Sequence, residues 1–129
     1  MNAEHLRKLK HELRTPVNHI VGYSELLLES TDDEGNIELT GLAKSLHRNG
    51  QTLARLLERS LLAPGSEISE EQLNAIRDSL RPVIETILET SISASFWDIS
   101  EYAEDLSRIR TAATQLLSLI GELKSAAAE

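Results

Sequence analysis

Two pairs of amphipathic helical stripes, divided by one strong break at Pro64-Gly65-Ser66, constrain the fold of this 129-residue chain more than any other feature. In the first stripe Leu6, Leu9, Leu13, Val17, Ile20 and Leu27 recur at three-to-four-residue intervals apart from one wider gap, the spacing that puts side chains on one face of an α-helix. Ser30 to Asn36 is dense in turn-forming and polar residues and should end that helix. A second stripe follows through Leu39, Leu42, Leu46, Leu53, Leu56, Leu57 and Leu61. Past the break, Ser69 stands three residues before Gln72, a capping-box spacing that predicts a third helix with Leu73, Ile76, Leu80, Ile84, Ile87 and Leu88 on its apolar face. The stretch Ser91 to Trp97 is expected to connect it to a fourth, with Asp98 or Ser100 as N-cap. That helix carries Tyr102, Leu106, Ile109, Leu116, Leu119, Ile120 and Leu123, and ends in Ala126 to Glu129, which has little to bury.

Aromatic residues make up 3% of the chain while Leu, Ile and Ala abound, so the core should be built by aliphatic helix packing rather than by a sheet. The fold class read from this is all-α. One helical hairpin cannot bury its stripe alone, whereas two packed together make an antiparallel four-helix bundle. The halves look like copies of one hairpin: a displacement of 67 lays the first stripe on the third, and one of 63 lays the second on the fourth. We therefore expect one domain over residues 1–129, with hairpin one at 1–63 and hairpin two at 67–129, forming a pseudo-dimer within the chain. A monomer is the favoured state in solution, and a homodimer of ordinary hairpins is the alternative.

The net charge of −8 argues against non-specific nucleic-acid binding, which needs clustered Lys and Arg facing phosphates. The charge is uneven: residues 1–63 hold eight Lys/Arg against nine Asp/Glu, and residues 64–129 hold five against twelve. Without cysteine there is neither a disulfide framework nor a thiolate metal site. No apolar run approaches a membrane span and no secretory h-region opens the chain, so a cytoplasmic protein without a membrane partner is expected.

One run stands apart from this pattern: His11-Glu12-Leu13-Arg14-Thr15-Pro16. On a helix, His11 lies about 200° around from Leu9 and from Leu13 at ~100° per residue, so it points away from the core stripe. Thr15, four residues on, shares its face, and Glu12 can swing beside the ring to orient one nitrogen or take its proton. Pro16 lacks the N–H that would bond the Glu12 carbonyl and crowds that carbonyl, which predicts a bend just after His11. Arg7, Lys8, Lys10 and Arg14 gather around the histidine, where they would stabilise a negatively charged adduct and attract an acidic partner. His5, His19 and His47 have no such company and read as surface residues. A zinc protease would need a second His where Thr15 stands, and nothing resembles the nucleophile elbow of a hydrolase.

The segment Lys8 to Glu29, KLKHELRTPVNHIVGYSELLLE, resembles the phosphoacceptor helix of sensor histidine kinases. Residues 40 to 62 and 103 to 123 each resemble the second helix of that family's dimerisation and histidine-phosphotransfer hairpin. The resemblance implies that His11 accepts phosphate, that Glu12 assists it, and that Thr15 positions water for dephosphorylating a response regulator. Pro16 would supply the structural bend, and Arg14, Asn18 and Lys8 would belong to the partner-docking surface. In the second half the matching position is Asp78, or Arg77 if the displacement is 66, so that hairpin should be degenerate and the active H-box confined to the first. The six glycines are isolated and form no phosphate-cradling loop, so no ATP-dependent kinase activity is expected of this chain alone. The function implied is a phosphotransferase-type carrier in a two-component relay, His11 exchanging a phosphoryl group with the aspartate of a receiver domain, or with a histidine kinase as the other partner. No cofactor is expected on the chain itself, and Mg²⁺ is expected on the receiver. The alternatives are a non-catalytic docking or inhibitory bundle for a receiver or kinase, and the phosphoacceptor domain of a larger kinase or regulator.

Overall fold

A computed structural model of the chain describes residues 3–61, 70–95 and 100–128, which form four helices and no strand among them. These are α1 (Ala3–Asp33), α2 (Ile37–Leu61), α3 (Glu70–Ser95) and α4 (Ser100–Ala128). Helix α1 packs against α2 and α4, and α3 packs against the same two, so α1 and α3 occupy one diagonal of an antiparallel four-helix bundle. Each helix thus has two packed neighbours, and its inward stripe is buried by all the others together.

The burial pattern repeats between the halves. Leu9, Leu13, Val17, Ile20 and Leu27 are buried in α1, and 67 residues later Ile76, Leu80, Ile84, Ile87 and Ala94 are buried in α3. Leu39, Ala43, Leu46, Leu53 and Leu57 in α2 are followed at 63 residues by Tyr102, Leu106, Ile109, Leu116 and Ile120 in α4. Even polar residues obey this register. Ser24 and Ser91 are both fully buried, and each donates its hydroxyl to the carbonyl three residues back, Val21 at 3.0 Å and Leu88 at 2.8 Å, which satisfies a donor that burial would otherwise strand. Leu42, Leu56, Leu88 and Leu119, at the edges of the stripes, are partly buried.

The α1–α2 connection shows why the first hairpin is tight. Gly35 takes φ +72°, a left-handed conformation that suits glycine, and terminates α1. Its N–H bonds the Asp32 carbonyl at 3.0 Å and the Asn36 N–H bonds that of Thr31 at 3.1 Å, the paired bonds of a Schellman cap. Asn36 then caps α2, its Oδ1 accepting from the Leu39 N–H at 3.1 Å. Three residues therefore close one helix and open the next. Along the same helix pair Gly50 is buried, and a methyl group in its place would lie 3.1 Å from Ile20 Cγ2 and 3.3 Å from Val21 Cγ2. A missing side chain sets the close approach of α2 to α1.

The third helix is longer than the sequence pattern implied. Ser91 to Ser95, read as connection, continue α3, because Ser91 and Ala94 keep the buried register after the large aliphatic residues have run out. Pro64-Gly65-Ser66, Ser69, Trp97 and Asp98 lie outside the described residues, as do the side chains of Leu6, Leu61 and Leu123.

Candidate functional site

The run from His11 to Pro16 lies in the N-terminal half of α1, which is continuous from Ala3 to Asp33. The rotation between successive residues separates their roles. Leu13 is fully buried, His11 and Thr15 are exposed, and Glu12 is half-buried. Pro16 is buried in a helix that does not break, and having no N–H it leaves the Glu12 carbonyl without its usual intrahelical donor. The Thr15 hydroxyl turns back toward the His11 carbonyl at 3.5 Å.

His11, Glu12, Thr15 and Pro16 form one wall of an open cleft of about 420 Å³, and Gln115, Ser118 and Leu119 of α4 form the other. Residues of the second hairpin thus stand beside His11. Further down the same helix pair a second cleft, of about 270 Å³, is lined by His19, Tyr23, Arg108 and Thr111, among others, and Gln115 lines both. There the Arg108 guanidinium lies 5.1 Å from the centre of the Tyr23 ring, and His19 stacks at a tilt on Tyr23 with ring centres 5.9 Å apart. Arg108 also pairs with Glu104 and, at 3.8 Å, with Asp105. His19 is exposed, yet it lies against Tyr23 and lines the second α1/α4 cleft.

The expected docking residues divide between the two sides of α1. Arg14 turns toward α2, where its Nε and Nη2 donate to Glu58 Oε1 at 3.1 and 2.8 Å. Lys8 and Asn18 are exposed, three residues before and seven after His11, which puts both near its face at ~100° per residue. Arg14 is therefore engaged with α2. Sequence reasoning did not name Gln115, Ser118 or Leu119 beside His11. The displacement of 63 could have found them, since it sets them on Thr52, Arg55 and Leu56 and makes α4 a second copy of α2.

The second hairpin's counterpart of the site is different in kind. The buried register fixes the displacement at 67, so Asp78, rather than Arg77, takes the place of His11. Asp78 is exposed and pairs with Arg77 at 3.5 Å. Pro82 precedes the register of Pro16 by one residue and is exposed where Pro16 is buried. On α2, Arg55 donates to the Thr52 hydroxyl at 3.4 Å.

What this arrangement offers chemically is one exposed imidazole, with a carboxylate next to it and a hydroxyl one turn away, beside a groove open to a partner. Among the described residues no group of three or more His, Cys, Asp or Glu is placed to hold a metal ion. None of the described helices is long and apolar enough to cross a membrane.

Comparison with known proteins places α1 and α2 in a known context. The family model for the His Kinase A (phospho-acceptor) domain matches residues 1–64. Among curated proteins, the "Non-motile and phage-resistance protein" of Caulobacter vibrioides is 38% identical over 56 residues, which is 43% of this chain and 7% of that protein. The match therefore spans a small part of that relative's length. No solved structure matches the chain.

Proposed function

From the premise that the first half of this chain belongs to the His Kinase A (phospho-acceptor) domain family, we propose that the bundle is a histidine phosphotransfer module of a two-component relay. His11 accepts a phosphoryl group on one imidazole nitrogen and exchanges it with the aspartate of a response-regulator receiver domain. The observation that carries this reading is the exposure of His11 at the mouth of the α1/α4 groove while its neighbour Leu13 is locked in the core. In the forward step the P–N bond breaks as a P–O bond to the carboxylate forms, and the imidazole recovers a proton. Phosphoryl transfer passes through a loose transition state, so the protein's contribution is positioning and charge stabilisation, with Mg²⁺ supplied by the receiver. Glu12 orients the ring and exchanges its proton, and Thr15 stands where it can place water against a phosphorylated partner. The second hairpin, with Asp78 in the histidine position, does not accept phosphate. It replaces the partner subunit of an ordinary dimeric hairpin, so light scattering should return the mass of a monomer.

Incubating the chain with phosphorylated receiver domains should place acid-labile, alkali-stable label on His11. Absence of that label from the wild type, or equal label in His11→Ala, refutes the reading. If His11→Ala instead binds and regulates a receiver as the wild type does, the bundle is a docking or inhibitory element, the reading favoured by the altered second hairpin.

A further inference from the structure

Helix α1 must choose a partner beyond its own hairpin, and the apolar stripes do not make the choice. The buried register of α2 repeats in α4 at 63 residues, so α2 of a second copy of the chain fits the place of α4 as far as core packing goes. Polar contacts across the α1/α4 seam do discriminate. Tyr102, 2% exposed in the first turn of α4, donates its hydroxyl to Glu34 Oε2 at 2.5 Å and lies 3.4 Å from the Ser30 carbonyl oxygen. That carbonyl is one of the last four of α1, where intrahelical donors run out, so a tyrosine of the second hairpin helps close a helix of the first. Further along α4, the Arg108 guanidinium lies over the Tyr23 ring. At the equivalent positions α2 carries Leu39 and Ser45. Leu39 has no hydroxyl, and Ser45 accepts from Asn49 Nδ2 of its own helix at 3.5 Å. The α1 side of these contacts is not repeated either. The counterparts of Ser30 and Glu34 fall at positions 97 and 101, past the end of α3 at Ser95, and that of Tyr23 is Thr90.

Resting on the intrachain pairing proposed above, we infer that Tyr102 and Arg108 select the partner of α1: they favour α4 of the same chain over α2 of a second copy. Both pairings bury the same kind of stripe, so the choice is set by the difference between them. The hydrogen bond of a buried tyrosine to a carboxylate is charge-assisted and is the stronger of the two contacts. A symmetric pair of first hairpins has two α1/α2 seams between copies, each with Leu39 and Ser45 in these places, and so forfeits both contacts twice. The second hairpin, which lacks an acceptor histidine, thereby keeps a single His11 in each bundle.

The test moves the two contacts from one pairing to the other in the full chain. Three proteins are compared by size-exclusion chromatography with light scattering, from micromolar to millimolar concentration: wild type, the double variant Tyr102→Leu/Arg108→Ser, and a fourfold variant that adds Leu39→Tyr and Ser45→Arg. Wild type should stay a monomer. In the fourfold variant the intrachain pair has lost both contacts and a pair of first hairpins gains them at two seams, so its dimer dissociation constant should lie at least about a hundredfold below that of the wild type. The double variant, which only removes the contacts, should fall between them. Its new side chains already fit the same register of α2, so it decides the matter alone if circular dichroism shows the fourfold variant unfolded. Folded variants that remain as monomeric as the wild type at every concentration overturn the inference and leave the intrachain pairing standing. A wild type that is itself a dimer refutes the intrachain pairing and the inference with it. Label on His11 is judged by its own assay and is untouched by either result.

Discussion

Replacing Gly50 tests whether the α1–α2 contact is as tight as the atomic distances say. In a helix, Gly to Ala ordinarily gains about 1 kcal/mol, because alanine has less backbone entropy to lose. Gly22 and Gly121 have nothing within 4 Å of an added methyl, so Gly22→Ala and Gly121→Ala should each realise that gain. At Gly50 the added methyl meets Ile20 Cγ2 at 3.1 Å, Val21 Cγ2 at 3.3 Å and the Val21 backbone nitrogen at 3.5 Å. The first two are inside the ~3.5–4.0 Å optimum for carbon pairs. Both neighbours are β-branched with a stiff χ1, and turning each off its rotamer costs about 0.5–1.5 kcal/mol. Gly50→Ala should therefore be neutral or destabilising by up to about 1 kcal/mol, and Gly50→Val should lose about 1–3 kcal/mol to overpacking. Urea and thermal melts followed by circular dichroism would separate Gly50→Ala from Gly121→Ala by about 1–2 kcal/mol, a few degrees in Tm for a chain of this size. If Gly50→Ala stabilises as much as Gly22→Ala and Gly121→Ala do, the close approach is not real and the argument fails.

Gly35→Ala forces a Cβ into the left-handed region at φ +72° and should cost about 1–2 kcal/mol by the same melts, while Gly22→Ala gains. Arg14→Ala should change stability by less than about 1 kcal/mol, since Arg14 and Glu58 are each 44% exposed; a double-mutant cycle should return a coupling no larger than that and shrinking with added salt. Ile84→Ala removes a fully buried side chain from the second hairpin and should cost about 2–5 kcal/mol; a loss as large as for Leu13→Ala in the first hairpin would show that the two halves melt as one cooperative unit.

Helix periodicity made the four elements, their order and the large buried aliphatic side chains legible before any coordinates, because a helix that must hide one face can do so only with residues spaced near 3.6. It failed at Ser91 to Ser95, where the core register is kept by a serine and an alanine that carry little hydropathy signal. It could place His11 outside the core, since two buried leucines flank it at known angles, but could not say what the outward face looks upon.

That last point divides what the HELRTP run determined from what packing decided. The run by itself set the outward imidazole, the carboxylate beside it, the hydroxyl one turn on and the proline, because these are neighbours on one helix and local geometry suffices to relate them. Tertiary structure decided that Arg14 is held by Glu58 and that Gln115 and Ser118, a hundred residues away in the chain, line the open cleft beside His11. Which helix becomes the neighbour of α1 is a consequence of how two hairpins share one core, and no spacing within a single helix encodes it.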